Sequence, residues 1–476
     1  MPSEFPPREN TIETSAVELA PVEGRAPATA DAGAAEAYDV AVIGGGLSGL
    51  AACIFLRQAG FSVVCIEPDP FPHGRVGESL DWSTPRLLEA LGVPGSRLID
   101  DQVGVAKLNI KVVPMGGKSW TAAPLRWFQK WPLKWEIRTF HVDRAEMDQR
   151  LYERAAGLGT VFVWDRAAKI EAEGERVTAC HTSSGRRITA PWFLDSSGQA
   201  RVVASKLGIE KKTYGQQKVA FWTYFWSAPR SEGTTFYGNT VGDDYLAWIW
   251  EIPISPRQLS VGCVMPASKV KEQRQNGLSP KDILWEHLAK YPPLAALTAD
   301  KEEREILRCS YQSYVSASVT GPNWLMMGEA ASVPDPLTGN GVTAAFRHAE
   351  EACEIIQASQ GRASFSRRHR RAYDARVRGM GCAFNHAIER MLYEAPVRRG
   401  LGTMAAQGIY TAFGYPINAI YTRMRPQRKY RTRLLQFVLD GFWLLMEGSA
   451  LAGRLAFRAR GRSAVGIANL PGGHQA

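Results

Sequence analysis

The feature that most constrains the fold is a glycine-rich turn, GGGLSG, between two short apolar runs near residue 45. The pattern predicts a strand over 39–43, a helix of small residues over 47–58 and a second strand over 62–66. A strand, a helix and a strand in this order form a βαβ unit, which requires a parallel sheet.

Three glycines of this turn, Gly44, Gly46 and Gly49, have the GxGxxG spacing, and Glu67 follows the second strand. Glycines at this spacing let the backbone approach a pyrophosphate at a helix N-terminus. An acid at the strand end can accept a hydrogen bond from a ribose hydroxyl. The segment therefore predicts a dinucleotide site.

Three later segments indicate which dinucleotide is bound. FHVDRAEMDQRLYERAAG places Arg144 at the start of an amphipathic helix, and RRITAPWFLDSSGQARVVASKLGI contains a strand that ends at Asp195. NWLMMGEAASVPDPLTGNGVTAAFRHAEEAC leads from a strand through a proline-rich loop to a glycine-bearing helix start. In this order, over 38–357, the chain resembles the FAD-dependent monooxygenase superfamily of the para-hydroxybenzoate hydroxylase type.

This resemblance implies that FAD is the cofactor and that the third segment holds its ribityl chain and pyrophosphate. Glu329 stands where the family usually has Asp, so a carboxylate is retained. The cofactor contacts implied beyond the glycine turn and Glu67 are Arg144, Asp195, Gly328, Glu329, Pro336 and Gly339.

A second distinctive segment is YLAWIWEIPI, which spans 245–254. Trp248, Trp250 and Ile252 share one face of a predicted strand, which Pro253 ends because proline cannot donate to a central ladder. Core packing alone would explain aromatic residues on a strand face. WIWEIP also resembles the WxWxIP signature of flavin-dependent halogenases. The resemblance implies that both tryptophans serve catalysis by filling the floor near the flavin and disfavouring direct substrate hydroxylation.

The segment RVGESLDWSTPRLLEALGV resembles the one that halogenases place after the second strand. It implies that Arg75 and Glu78 lie near the flavin, although Arg75 could simply cap a surface loop. Lys107 follows where the family has a catalytic lysine that holds hypohalous acid. A buried lysine shifts its pKa readily, so it can act as an ammonium donor or as a neutral amine that forms a haloamine. Lys111 competes for this role, and either could be a surface lysine.

The loop PDPLTGNGV, 334–342, leads into a helix, and backbone N–H groups at a helix start attract anions. Asn340 and Gly341 are therefore the predicted halide contacts, although similar loops occur in reductases and hydroxylases. Tryptophan halogenases usually carry glutamate at the position of Thr338. The predicted acceptor is therefore an electron-rich phenol or pyrrole, which needs less help from a carboxylate, rather than free tryptophan.

Together these segments predict an FADH2-dependent halogenase that forms hypohalous acid from chloride or bromide and dioxygen. A separate flavin reductase is expected to supply reduced FAD, since the chain has one GxGxxG. The aromatic substrate could be free, or linked to a carrier protein or a lipid. An FAD-dependent hydroxylase and an isoprenoid-chain reductase are the alternative enzymes, and a lipid-binding escort protein of the same fold is the alternative without catalysis.

The charge and the cysteine content limit the possible partners of the protein and its location in the cell. The formal charge of +10 is concentrated in the arginine-rich last third, which favours anionic membrane or acidic carrier protein. No nucleic-acid-binding signature and no metal spacing accompany it, so neither partner is expected. The seven scattered cysteines predict a reducing, cytoplasmic location. The apolar segment 401–422 lies between arginines, which fits peripheral contact with the inner membrane face or a cap on the substrate pocket.

The predicted fold class is α/β, with a Rossmann-like FAD-binding domain (about 37–110, 140–210 and 305–357) interleaved with a β-sheet substrate domain (about 111–139 and 211–304). Residues 1–36 are predicted to be a disordered leader because they are rich in Pro, Glu and Ala. Residues 358–476 are predicted to be mostly helical and basic.

Overall fold

The computed structural model describes residues 36–71, 76–114, 119–122, 139–227, 231–239, 245–298, 305–402, 405–406, 408–410, 412–414, 416–417 and 429–468. Residues 1–35 of the predicted leader and Arg75, a predicted cofactor contact, lie outside the described residues.

The strands are numbered in chain order. They are β1 (Glu36–Ala37), β2 (Val40–Ile43), β3 (Val63–Glu67), β4 (Gly104–Ala106), β5 (Asn109–Pro114), β6 (Trp120–Ala122), β7 (Phe140–Val142), β8 (Val161–Trp164), β9 (Ala167–Glu173), β10 (Arg176–Thr182), β11 (Arg187–Thr189), β12 (Trp192–Asp195), β13 (Lys211–Trp226), β14 (Gly233–Asn239), β15 (Ala247–Ser255), β16 (Gln258–Pro266), β17 (Leu307–Ser316), β18 (Trp324–Met326) and β19 (Ser332–Val333).

The α-helices are numbered in the same way. They are α1 (Leu47–Gln58), α2 (Thr84–Leu91), α3 (Gly95–Asp100), α4 (Arg144–Gly157), α5 (Val202–Lys206), α6 (Ala267–Gln275), α7 (Pro280–Leu288), α8 (Pro292–Thr298), α9 (Gly341–Gln357), α10 (Arg367–Ile388), α11 (Ala395–Leu401) and α12 (Lys429–Ala468). Short 3-10 helices span Gly198–Ala200, Gly328–Ala330 and Pro336–Thr338, and a π-helical turn, Glu389–Tyr393, extends α10.

A five-stranded parallel sheet with the order β18-β12-β2-β3-β8 forms the centre of the first layer. Every residue of β2 and β3 is buried, as expected of parallel strands that are covered on both faces. Helix α1 has the predicted bounds and connects β2 to β3, and the two strands begin one residue later than predicted. The predicted βαβ unit is therefore present.

An eight-stranded sheet with the order β19-β17-β13-β16-β15-β14-β5-β6 forms the second layer. One face of this sheet, which carries Trp248 and Trp250, packs against α10, α11 and α12, and the other face packs against α7. The predicted α/β class and the helical C-terminal region are confirmed by this arrangement.

Two boundaries differ from the sequence prediction. Strand β17 was assigned to the FAD-binding segment 305–357, but it pairs antiparallel with β13 in the large sheet. Strand β15 does not end at Pro253, because a β-bulge after this proline lets pairing continue to Ser255. A bulge accommodates the missing N–H without ending the strand.

A two-stranded ribbon of β4 and β7 packs against β15. Lys107 follows β4 directly and lies in the described part of the chain between β4 and β5. The ribbon therefore carries the predicted lysine next to the WIWEIP strand.

Candidate active site

The turn between β2 and α1 has the shape of a phosphate cradle. Gly44 has a φ of +99°, and a Cβ at this position would lie 2.4 Å from the backbone oxygen of Ser196, so glycine is required. A Cβ on Gly49 would lie 1.9 Å from the oxygen of Gly44. Gly46 is the N-cap of α1 and contributes no side-chain cap. The first N–H groups of this 12-residue helix can therefore bind a pyrophosphate.

Glu67 lies on the other side of the turn and is buried. Its Oε2 accepts a hydrogen bond from the N–H of Gly45 at 2.5 Å, and its Oε1 accepts one from Asp69 at 3.3 Å. A carboxylate at the end of the second strand is the acceptor that a ribose hydroxyl requires. The glycine cradle and this acid fit the dinucleotide part of FAD.

Two of the three later segments that predicted FAD, those that contain Asp195 and Gly328, meet this turn. Ser48 Oγ on α1 lies 2.5 Å from Ser196 Oγ, just after β12. A Cβ on Gly328, whose φ is +54°, would lie 2.5 Å from the same Ser48 Oγ, and the N–H of Gly328 donates to His348 Nδ1 at 3.1 Å. Three segments that are far apart in the sequence thus converge at one point.

Asp195 and Glu329 differ in how they face this site. Asp195 is buried, accepts hydrogen bonds from Ser197 and accepts one from the N–H of Val203 at 2.9 Å, which holds the start of α5. Burial raises the pKa of its carboxyl although these hydrogen bonds oppose the shift. Glu329 is exposed and accepts from Gln199 at 3.4 Å. Direct contact of either carboxylate with FAD stays a prediction.

Arg144 holds the loop that leads to Glu78. Its guanidinium donates to Asp148 at 3.0 and 2.9 Å and to the backbone oxygen of Val76 at 2.6 Å. A Cβ on Gly77, whose φ is +114°, would lie 2.5 Å from Arg144 Nη1. Glu78 is buried, and this burial raises the pKa of its carboxyl. Arg144 therefore fixes the backbone next to Glu78, and its contact with FAD stays a prediction.

Lys107 has a half-buried side chain that points to the same loop. Its Nζ donates to Ser79 Oγ at 2.9 Å and to the backbone oxygen of Leu80 at 3.2 Å. Burial lowers the pKa of Lys107 to about 8, although the charge of Asp81 opposes this shift. Lys111, the competing candidate, lies in the middle of β5 in the large sheet. The geometry favours Lys107, whose catalytic role stays a prediction.

Two further residues of this cluster, His141 and Thr234, were not identified from the sequence. Thr234 Oγ1 lies 2.9 Å from Ser79 Oγ and 2.9 Å from His141 Nε2. Burial lowers the pKa of His141 well below its ordinary value, and the charge of Lys107 adds to this effect. A neutral imidazole avoids a second positive charge next to the lysine. No motif marks these residues, because only the pairing of separate strands brings them to Ser79.

The proline-rich loop lies against Ser79. Pro336 begins a 3-10 turn, whose start is capped by Asp335 because its Oδ1 accepts from the N–H of Leu337 at 3.1 Å. Gly339 has a φ of +63°, and a Cβ there would lie 3.7 Å from the backbone oxygen of Ser79. The loop and the lysine are therefore connected through a single residue.

Asn340 and Gly341, the predicted halide contacts, lie at the start of α9. Asn340 is the N-cap of this 17-residue helix and makes no side-chain cap, and Gly341 is the first helical residue. A helix start of this length attracts an anion to its backbone N–H groups. The position of a halide here stays a prediction, and the side chain of Thr338 lies outside the described residues.

Trp248 reaches the proline-rich loop through its indole N–H. Its Nε1 donates to the hydroxyl of Tyr393 at 3.0 Å, and this hydroxyl donates to Asp335 Oδ1 at 3.3 Å. The ring itself is buried against Phe236, with centroids 5.8 Å apart. Trp248 therefore both fills the core and holds the loop.

The indole N–H of Trp250 contacts the neighbouring strand. Its Nε1 donates to Ser260 Oγ on β16 at 3.0 Å. The two indole rings lie 5.8 Å apart between centroids and are both buried. The core interpretation of WIWEIP is thus correct, and the N–H of Trp248 adds a connection to the proline-rich loop.

Lys218 is a buried cation that the sequence analysis did not identify. The side chain is 2% exposed, and its Nζ lies 3.2 Å from Asp335 Oδ2, 2.8 Å from Glu389 Oε1 and 3.9 Å from the centroid of the Tyr393 ring. Burial alone would lower the pKa of Lys218, but the two carboxylates outweigh it and raise this pKa. Asp335 is therefore held by Lys218 on one side and Tyr393 on the other.

Neither a metal-ligand cluster nor a disulfide occurs in the described part of the chain. Within the described ranges no group of three or more His, Cys, Asp or Glu side chains could hold a metal ion. The seven cysteines all lie within the described ranges and are all free thiols.

Comparison with known proteins identifies the family. Residues 37–378 match the model of the FAD binding domain family. A tryptophan 2-halogenase from Chondromyces crocatus is 30% identical over 320 residues, 65% of this chain and 59% of that protein. The aligned part thus covers less than two thirds of that relative's length. A 1H-pyrrole-2-carbonyl-(peptidyl-carrier protein) chlorinase from Pseudomonas fluorescens is 25% identical over 453 residues, 88% of this chain and 90% of that protein.

The solved structures agree in fold. A triple mutant of the flavin-dependent brominase Bmp2 covers 89% of this chain with all of its own length, at a TM-score of 0.65 and 22% identity. The resemblance predicted from the glycine turn and the WIWEIP segment is confirmed by these similarities. The relatives named here are flavin-dependent halogenases, and the chain belongs to the FAD binding domain family.

Proposed function

We propose that this protein uses FADH2, dioxygen and chloride or bromide to halogenate an electron-rich aromatic ring of the phenol or pyrrole type. The observation that carries this proposal is the contact of Lys107 Nζ with Ser79, which lies between the lysine and the start of α9. A helix start that attracts anions and an amine with a lowered pKa would then lie on either side of Ser79.

The names of the relatives support the substrate class. The aligned proteins include a chlorinase and a brominase of pyrrole-2-carbonyl-carrier protein, and the chlorinase aligns over 90% of its length. We infer that the aromatic ring is presented by a carrier protein. The basic last third of the chain supports this inference, because carrier proteins that bind it would have to be acidic.

Bound FAD would supply hypohalous acid from dioxygen and halide. The residues of this chain then decide where that reagent goes. The N–H groups at Asn340 and Gly341 would hold the halide against the flavin, and the buried indoles of Trp248 and Trp250 would exclude an organic acceptor from the same place. The first acceptor of oxygen is then the small anion.

Lys107 would direct the halogen to the ring. With a pKa near 8, its ammonium form can donate a hydrogen bond to the hypohalous oxygen, and its neutral form can accept the halogen with loss of water. Ser79 and the backbone oxygen of Leu80 orient the amine. The ring carbon then takes the halogen and loses a proton.

A separate reductase and a cytoplasmic location belong to the same proposal. One GxGxxG is present, and the FAD cradle described above uses it. Reduced FAD would therefore come from another protein. Free thiols at the seven cysteines suit a reducing compartment.

The test supplies the purified protein with reduced FAD, oxygen and bromide, together with free and carrier-linked phenols and pyrroles and with tryptophan. We expect brominated pyrrole or phenol by mass spectrometry, and Lys107→Ala should reduce this product by roughly 100-fold or more. Lys111→Ala is the matched control and should keep parental activity. Oxygen insertion into product at full rate without halide would show that the protein is a hydroxylase instead.

A further inference from the structure

Helix α12 is packed along one side only. The residues that recur on its inner side, Leu435, Leu439, Phe442, Met446 and Ala450, are 0–3% exposed and join the core formed with α10 and α11. The spacing of four, three, four and four residues keeps them on one face of a helix. The opposite side of the helix therefore points away from the described part of the protein.

This opposite side is also apolar. Leu434, Phe437, Leu444, Leu451 and Leu455 are 51, 75, 64, 54 and 55% exposed. Their spacings of three, seven, seven and four residues place them in one line, which we call the outer face of α12. Contiguous exposed apolar surface of this kind marks an interaction site.

Basic residues lie at both ends of the outer face. Arg433 precedes it and Arg458 follows it, and both are exposed. Arg460 instead donates to the backbone oxygen of Arg399 at 2.9 Å. The stretch 433–460 is long and apolar enough to cross a membrane by composition. The inner side of this stretch is packed against the protein, so only the outer face is available for contact. The helix would therefore lie along the surface of a partner and would not cross a membrane.

The charges distinguish between two candidate partners of the outer face, a second copy of this protein and a lipid surface. In an antiparallel pair of two copies, Arg433 of one copy would face Arg458 of the other. In a parallel pair, each of these arginines would face the same arginine of the second copy. Like charges would therefore meet in either arrangement. An anionic lipid surface instead pairs with arginines at both ends and takes up the leucines and Phe437 between them.

We propose that the outer face of α12 docks on the surface of an anionic phospholipid bilayer, with the helix axis in the membrane plane. Trp443 adjoins this face at 42% exposure and stacks on His386, with centroids 5.2 Å apart. An indole in this position suits the headgroup region. The segment 401–422, where the sequence predicted a possible membrane contact, lies partly outside the described residues, and that contact stays a prediction.

The test measures binding of the flavin-loaded full chain to vesicles of phosphatidylcholine with and without phosphatidylglycerol. We expect binding to the anionic vesicles that weakens as salt is raised. The affinity of the variant Phe437→Ser/Leu444→Ser for these vesicles should be lower than that of the parent by roughly 10-fold or more. Two apolar side chains would no longer be buried in the lipid. Both residues are exposed, so the fold and the FAD absorbance should not change.

Gln436→Ser is the matched control, because it changes an exposed polar residue on the same helix and should keep parental vesicle binding. Sedimentation velocity without lipid tests whether a second copy of this protein binds the outer face. A parent dimer that dissociates in the Phe437→Ser/Leu444→Ser variant would overturn the lipid proposal in favour of a second copy. Equal vesicle binding by the parent and that variant, or none by the parent, would also overturn it. These results do not depend on halogenation activity.

Discussion

Lys107→Met should make the protein more stable at neutral pH while abolishing its chemistry. The folded state lowers the pKa of this lysine from 10.5 to about 8, which corresponds to about 3 kcal/mol against folding when the amine is charged. Methionine has a similar length and removes this unfavourable contribution. The gain in stability should be smaller than this, because Ser79 Oγ and the Leu80 oxygen lose a donor that contributes about 1 kcal/mol each.

The sign of the pH dependence follows from proton binding. Between pH 8 and 10.5 the unfolded lysine binds more protons than the folded one, so the parent gains stability as pH rises through this window. Below pH 8 both states are protonated and the full term opposes folding. At pH 9.5 this unfavourable contribution has fallen to about 1 kcal/mol, so the stability advantage of Lys107→Met should be about 2 kcal/mol smaller than at pH 7.

Equilibrium urea unfolding at pH 7 and pH 9.5, with the same excess of FAD, measures this difference. Comparing the two pH values isolates the titration of Lys107, because every effect of the substitution that is the same in both protonation states cancels. Lys111→Met is the matched control on the neighbouring strand and should show no gain that fades between these pH values. A stability gain of Lys107→Met that is equal at both pH values would refute a buried, charged lysine at this site.

Three further outcomes test other parts of the site. Gly49→Ala should weaken FAD binding by roughly 10- to 100-fold in a fluorescence titration, because its Cβ would overlap the oxygen of Gly44. A Cβ at Gly157 would meet open space, so the control variant Gly157→Ala should bind FAD as the parent does. Lys218→Met should lower the free energy of unfolding by about 3–5 kcal/mol, since buried carboxylates would lose their cation; an unchanged urea midpoint would contradict this ion cluster. Trp248→Phe should keep the core filled but lose the hydrogen bond to Tyr393. We expect mass spectrometry to show more hydroxylated product relative to halogenated product. An unchanged product ratio would show that the indole N–H has no such role.

Local patterns predicted the elements with strong periodicity or motif content. The bounds of α1 were correct and those of β2 and β3 differed by one residue, because a parallel βαβ unit writes its buried strands as continuous apolar runs. The strand through Trp248 and Trp250 was also predicted, but its end was not. A bulge after Pro253 depends on the partner strand, and the sequence of β15 alone contains no sign of it.

The site was predictable where a residue belongs to a motif. Gly44, Gly49 and Glu67 form the cradle that the spacing indicated, and Lys107, whose catalytic role stays a prediction, donates to Ser79. The partners of these residues were not predictable. Ser79 connects the lysine to the proline-rich loop only because strands from different parts of the chain meet there.

The sequence by itself determined that this chain builds a dinucleotide cradle, because a glycine without a Cβ and a helix start are local properties of a few adjacent residues. It also determined that two indoles share a strand face. Only the tertiary structure decided what their N–H groups hold, that a buried Lys218 pairs with Asp335, and which side of α12 stays exposed. These depend on contacts between distant segments, where burial and charge pairing are set by the packing of whole layers and not by local pattern.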